Sequence, residues 1–306
     1  MLRLRLFLAL IIAGSLTLPL QAATITVADD GADYTSIQAA VDAAVSGQDE
    51  VVVSPGTYLE AINFNGKAIT LRSTSGDPVD TIIDGGGNGS VVTCDSGETS
   101  TTVLDGFTIT NGSASQGGGM YNYNSSPTVT NCTFSGNTAN GWGGGMYNSS
   151  SSSPTVSNCI LWGDSPDEIY NYVASPTVSF SDVQGGLPAN TVDGGGNIDA
   201  DPLFVDADGA DNTAGTEDDN LRLSSGSPCI DSGSFFDFNN LFDLGANDRA
   251  VDDPTTINTG SGVLTFLDMG AYEFQPPTCL PGDHNCDGIV NLLDLSLLAL
   301  HWLETI

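Results

Sequence analysis

Between Ala23 and about residue 274 the apolar and polar positions alternate in short runs, and each run stops at Gly, Asn, Ser or Pro. A period of two puts alternate side chains on opposite faces, so each run predicts a short strand with one face inward. The runs repeat. Gly117-Gly118-Gly119-Met120-Tyr121-Asn122 returns as Gly143-Gly144-Gly145-Met146-Tyr147-Asn148, and Pro127-Thr128-Val129-Thr130-Asn131-Cys132 returns as Pro154-Thr155-Val156-Ser157-Asn158-Cys159. A third copy, Pro176-Thr177-Val178-Ser179, follows after a shorter interval. Val103 to Gly112 is a diverged earlier copy, with Phe107 and Ile109 in the places of Cys132 and Phe134. Three strands and their turns in about 25 residues make one coil of a solenoid, which buries its inner face only by stacking on the next coil.

Stacking assigns roles to the repeated residues. Asn131 and Asn158 fall at the same turn, where their amides can hydrogen-bond along the axis as a ladder. Cys132 and Cys159 follow them, pointing inward beside Phe134 and Leu161, either as a buried thiol ladder or as a disulfide between neighbouring coils. Neither repeat offers a histidine that would make a catalytic thiol. The glycine triplets permit tight corners. With no helix after them they do not read as a phosphate loop.

One segment has helical spacing instead. Thr35-Ser36-Ile37-Gln38 reads as a capping box, and Ile37, Ala40, Val41, Ala44 and Val45 form an apolar stripe before Gly47. This predicts a helix from Thr35 to Ser46 covering the first coil, whose edge would otherwise be open to pairing. The irregular stretch from Asp199 to Phe274 is the candidate cover for the far end.

The first 22 residues stand apart: Arg3 and Arg5, then an apolar core from Leu6 to Ile12, then small residues around Ala22. That order reads as a secretory leader, too short for a membrane span. The chain has 6 Lys and Arg against 38 Asp and Glu. Without Arg3 and Arg5 the mature chain keeps Lys67, Arg72, Arg222 and Arg249, for a net charge of −34. Nucleic acid and anionic lipid are poor partners for such a chain, and divalent cations are good ones. A polyuronate would need a cation bridge.

The run Asp33 to Val41, followed by VVVSPGTYLEAINFNGKAITLRS, resembles the opening of pectin-lyase-like β-helix proteins, pectin methylesterases included. The two repeated motifs resemble those of large exported bacterial β-helix proteins. Asp201-Pro202-Leu203-Phe204, Ser227 to Asp231 and Asp268 to Glu273 are similar to the closing segments of that group. The resemblance covers residues 23–274 and implies an all-β, right-handed parallel β-helix. The catalytic segments of pectin methylesterases (Gln-Asp-Thr-Leu, Asp-Phe-Ile-Phe-Gly, Arg-Pro-Trp) and of polygalacturonases (Asn-Thr-Asp, Gly-His-Gly, Arg-Ile-Lys) are missing. A lyase-type base would have to be Lys67, Arg72 or Arg222. A hydrolase would need two carboxylates at a set separation, which sequence does not measure.

Residues 275–282 read as a stiff linker. Asp283-His284-Asn285-Cys286-Asp287-Gly288-Ile289-Val290-Asn291-Leu292-Leu293-Asp294 then fits an EF-hand-type calcium loop, with Gly288 at the sharp turn. Asp283, Asn285, Asp287 and Asp294 would bind Ca2+ through side chains, Ile289 through its carbonyl and Asn291 through water. With the apolar helix from Leu292 to Leu303, residues 283–306 resemble one half of a dockerin, which normally pairs two such repeats. Cys279 and Cys286 are placed to close a small loop by disulfide. A second acidic stretch from Asp206 to Asp219 misses the EF-hand spacing and is either a weaker calcium loop or a solvated turn. His284 and His301 are too isolated to ligate metal together.

Two functions follow. In the first, an exported β-helix binds extracellular polysaccharide or a cell-surface or scaffold protein, with calcium stiffening its C-terminus. In the second, a polysaccharide lyase or glycoside hydrolase is tethered through the dockerin-like end. Acids converging with Lys or Arg in a groove would favour the second, and a flat face of Ser, Thr and Asn the first.

Overall fold

The computed structural model describes residues 22–74, 81–216, 218–235, 256–262, 267–271 and 273. Residues 1–21 and 274–306 lie outside the described residues, and with them the expected leader core, linker and calcium loop, including Asp283, Asn285, Asp287, Ile289, Asn291 and Asp294.

The chain winds as a parallel β-solenoid. Its strands fall into three long sheets of eight, six and five strands, called here A, B and C, each strand pairing in parallel with its equivalent in the next coil. A typical coil runs through Val103–Asp105 in sheet A, Thr108–Thr110 in sheet B and Met120–Tyr123 in sheet C, with a short extra strand, Ser113–Gln116, before the last. The PTV copies do what their repetition predicts: Thr128–Thr130, Thr155–Ser157 and Thr177–Ser179 pair in register.

In-register stacking turns alternation into three apolar columns. Sheet A contributes Val51, Leu71, Leu104, Val129, Val156 and Val178. Sheet B contributes Tyr58, Ile83, Ile109, Phe134, Leu161 and Val183. Sheet C contributes Ile62, Val92, Met120, Met146 and Ile169. All are buried, and each aliphatic side chain withdrawn from water contributes about 1.5–3 kcal/mol.

Polar ladders run beside these columns. Asn131 Nδ2 donates to Asp105 Oδ1 at 2.7 Å, and Asn158 Nδ2 donates to Asn131 Oδ1 at 3.2 Å. Asn131 and Asn158 have φ of 50° and 51°, a left-handed turn that Asn tolerates better than most residues. A second ladder, not foreseen from the sequence, lies inside the coil. Asn122 Nδ2 donates to Asn148 Oδ1 at 2.9 Å, and Asn148 Nδ2 donates to Asn171 Oδ1 at 3.0 Å. Cys132 and Cys159 are buried free thiols, as are Cys94 and Cys229, so the ladder alternative holds for the first pair rather than the disulfide. Burial pushes the Cys132 thiol well above its ordinary value, which suits packing and not attack.

The triplets owe their glycines to two causes. Gly143 has φ of 63°. Gly144 has no such need, but a Cβ there would lie 2.4 Å from the backbone of Ser165 in the next coil. Only the first corner requires left-handed freedom; the second requires the absence of a side chain.

The helix is shorter than its stripe suggests, Ile37–Ala43, because Ala44 already has extended ψ (142°). Val45 leaves the stripe and is 39% exposed. Ser36 is the N-cap, accepting from Ala39 N at 3.2 Å, but Gln38 does not reach back to close a box. Its Oε1 accepts from Asn63 N, and Glu60 takes the first-turn amides of Ile37 and Gln38 instead. Ile37, Ala40 and Val41 are buried against the first coils.

The segments after Asp199 do not simply extend the far end. Leu221, Leu223, Cys229, Ile230 and Met269 pack on Ile160, which faces outward from sheet B. Gly270 N donates to Asn158 O, and Ala271 N to Thr133 Oγ1. The described parts of this stretch therefore cover the outer face of sheet B around Thr133 and Ile160. The outward Thr128, Thr155 and Thr177 of sheet A and Tyr121 and Tyr170 of sheet C are at least partly exposed, while the outward Val52, Asp105 and Tyr147 are buried.

Candidate functional site

The outer faces of the three sheets differ. Sheet B is covered around Thr133 and Ile160, while Thr57 and Leu59 of its first strand stay exposed. Sheet A presents Thr128, Thr130, Thr155, Ser157, Thr177 and Ser179, partly exposed hydroxyls on a flat surface, with Ser157 Oγ donating to Thr130 Oγ1 at 3.2 Å. Sheet C presents aromatic rings.

Those rings follow from register. In Met-Tyr-Asn the methionine and asparagine point inward, so the tyrosine points outward. Tyr121 pairs with Tyr147, and Tyr147 with Tyr170. Their rings stack, with centroids 5.7 Å and 5.9 Å apart and planes within 5° and 2° of parallel. Two residues on, Tyr123, Ser149 and Tyr172 form a second column in which small Ser149 separates two phenols. Trp142 ends the strand Thr138–Trp142 just before the Gly143 corner and stacks on Tyr170 at 5.6 Å. Gln116, Trp142, Tyr147, Tyr170 and Tyr172 line a hollow of about 290 Å³. Trp142 is 48% exposed, Tyr123 47% and Tyr172 60%. Clustered exposed aromatics are uncommon on soluble surfaces and mark places where something binds. Burial is the first cause raising the Tyr147 hydroxyl above its ordinary value, so this face is aromatic and uncharged at neutral pH.

A second feature sits on the approach to the strand Ile169–Tyr172. Asp164 and Glu168 are both buried and border a hollow of about 430 Å³ with Pro166, Asp167, Gln184 and Pro188. Asp164 Oδ1 accepts from Asn137 N at 2.7 Å and from Asn137 Nδ2 at 2.9 Å, continuing a polar stack between coils. Asp164 Oδ2 and Glu168 Oε2 have no conventional partner. The two side chains interact with each other, and one proton held between them would satisfy both oxygens. Burial first, then the Asp164 charge, pushes Glu168 up to about 10, and burial raises Asp164 to about 6. Sequence offered no route to this pair, because only the stacking of Asn137 under Asp164 draws the carboxylate inward.

The basic candidates are otherwise employed. Lys67 Nζ donates to the carbonyls of Val41, Asp42 and Ala44, closing the C-terminus of the helix. Arg72 pairs with Glu50 at 3.3 Å. Arg222 is an exposed position of the strand Asn220–Leu223, between Leu221 and Leu223, which pack in the cover of sheet B. In the Asp206–Asp219 stretch, Asp218 Oδ2 accepts from Ala210 N and Asp211 N, and Asp219 Oδ2 from Gly215 N and Thr216 N. These carboxylates turn toward the loop's own amides, and among the described residues no three acids, His or Cys converge as a metal cluster would. Glu217 lies outside the described residues. Among the described residues no helix is long and apolar enough to cross a membrane. Comparison with protein-family models, with curated proteins and with solved structures gives no match.

Proposed function

We propose that the chain is an exported solenoid that binds extracellular polysaccharide through the outer face of sheet C. The observation that carries this reading is the exposed aromatic surface of Trp142, Tyr123 and Tyr172 over the stacked Tyr121, Tyr147 and Tyr170. Aromatic rings set among a few hydrogen-bonding groups suit sugar, which has apolar C–H faces and polar edges. The hydroxyl-bearing part of sheet A, Thr128 to Ser179, agrees with a binding role as a flat polar surface. The same reading includes the right-handed winding, export by the leader of residues 1–22, and a calcium-bound dockerin-like module at 283–306 that attaches the solenoid to a scaffold or surface partner. For the module, calorimetric titration of Ca2+ into the mature chain is expected to give binding heats that vanish in Asp283→Ala. Equal heats from both proteins would remove the calcium loop.

A polysaccharide-degrading enzyme is the second reading, favoured by the protonated Glu168 beside Asp164 at the edge of a hollow. A carboxylic acid kept neutral by burial is the form a general acid needs. One experiment separates the two: incubation of the mature protein with plant and algal polysaccharides, with and without calcium, scoring both retention and new chain ends. Retention with no new reducing ends or unsaturated uronates supports the binding reading. New ends that disappear in Glu168→Gln would replace it with the enzymatic one.

A further inference from the structure

Granting that reading, we infer that the sheet C face takes a neutral, extended polysaccharide chain lying along the solenoid axis, and not a polyuronate. Two observations carry this, one of charge and one of spacing. The chain has a formal charge of −32. The hollow beneath Trp142 is lined by four aromatic rings and Gln116, with no cation. Lys67 and Arg72, the described cations nearest the N-terminal coils, are held by helix carbonyls and by Glu50. A uronate chain would bring one more negative charge per sugar to this surface, where no described lining residue is a cation to pair it, whereas a neutral chain meets no such opposition.

The spacing comes from the rungs. Tyr123 and Tyr172 occupy the same column two coils apart, with only Ser149 between them. Neighbouring strands are about 4.8 Å apart, so the Cα positions of Tyr123 and Tyr172 stand about 10 Å apart along the axis, on the order of one disaccharide repeat in an extended chain. Ser149 is small and buried, so the two phenols are the exposed members of this column. Trp142, beside the column, offers a third apolar surface to the same chain.

The test uses affinity electrophoresis of the mature protein in gels containing hydroxyethylcellulose, xyloglucan or polygalacturonate, at low and high salt and with a calcium chelator. The neutral polymers are expected to retard the protein equally at both salt levels and with chelator present. Tyr172→Ala and Trp142→Ala are each expected to weaken retention roughly tenfold, as for truncation of a central aromatic anchor. Both side chains are about half exposed, so folding is checked simply by matched circular dichroism. Retention by polygalacturonate alone, dependent on calcium, would overturn this inference while leaving polysaccharide binding in place. Neutral retention unchanged in both variants would overturn the placement on sheet C. Retention by no polymer in these gels or in the wider polysaccharide panel would remove the underlying reading, and this inference with it.

Discussion

Glu168→Gln is expected to change stability little at pH 5 and to raise it by several kcal/mol at pH 9. In the wild type, burial and then the neighbouring Asp164 charge oppose ionisation of Glu168 and hold its proton well above the ordinary carboxylate range. The unfolded chain releases the same proton in the ordinary carboxylate range. A group whose folded value is the higher one stabilises fully below its unfolded pKa, and that contribution drains away as pH rises toward the folded value. The slope for one proton is at most about 1.4 kcal/mol per pH unit. Asp164 and Asp182, each raised to about 6 chiefly by burial, act in the same direction at lower pH. Glutamine keeps an oxygen for Asp164 N, now 3.1 Å from Glu168 Oε1, and an N–H for the orphan Asp164 oxygen. It carries no titrating proton. Denaturant midpoints measured across this pH range should fall steeply for the wild type and more gently for the variant. Parallel curves would show that the shared proton is not there.

Asn148→Ala is expected to destabilise the solenoid by about 3 kcal/mol, more than Asn122→Ala one rung below. Asn148 is the middle of the inner ladder. Its loss strands Asn122 Nδ2, which donates to it at 2.9 Å, and Asn171 Oδ1, which accepts from it at 3.0 Å. Asn122 Nδ2 is then left unpaired in a buried stack and Asn171 Oδ1 in a part-buried one, where an unpaired polar group is costly. Asn122 ends the ladder. The residue in register below it is Cys94, and Asn122 Oδ1 has no partner even in the wild type, so its removal strands one group rather than two. The double variant should cost less than the sum of the singles, because residues sharing one network are not additive. Equal costs for the two single changes would argue that the amides do not act as a ladder.

The fold was legible because its information is local and repeated. Val129 and Val156 alternate with Thr and Ser, recur in copies, and stack where recurrence places them. The Asn131 and Asn158 ladder was legible for the same reason. The inner ladder was less so: period two puts Asn122 on the same face as Met120, but inward positions are expected to be apolar, and three amides are tolerable there only as a column. The aromatic face was half written in the Gly-Gly-Gly-Met-Tyr-Asn repeat. Its third member, Tyr170, follows no glycine triplet, and Trp142 joins it only through the turn into the next coil. Glu60 and Lys67, which close the two ends of the helix, lie more than twenty residues from the groups they satisfy. Contacts of that kind depend on which coils become neighbours, and no local pattern announces them. The acids at 164 and 168 belong to the same class. Four residues apart in a chain rich in Asp and Glu, they become a pair only because Asn137 in the preceding coil fixes one of them.

The central claim is that the outer face of sheet C is the binding surface, and hydroxyl-radical footprinting of the mature protein with and without saturating xyloglucan tests it most directly. Free protein should be oxidised readily at Trp142, Tyr123 and Tyr172, and at Leu203, Val205 and Ile257, which are exposed elsewhere. With xyloglucan present, the account predicts strong protection of the three aromatic residues and none of the other three. Unchanged oxidation of Trp142 and Tyr172 at saturation would contradict it.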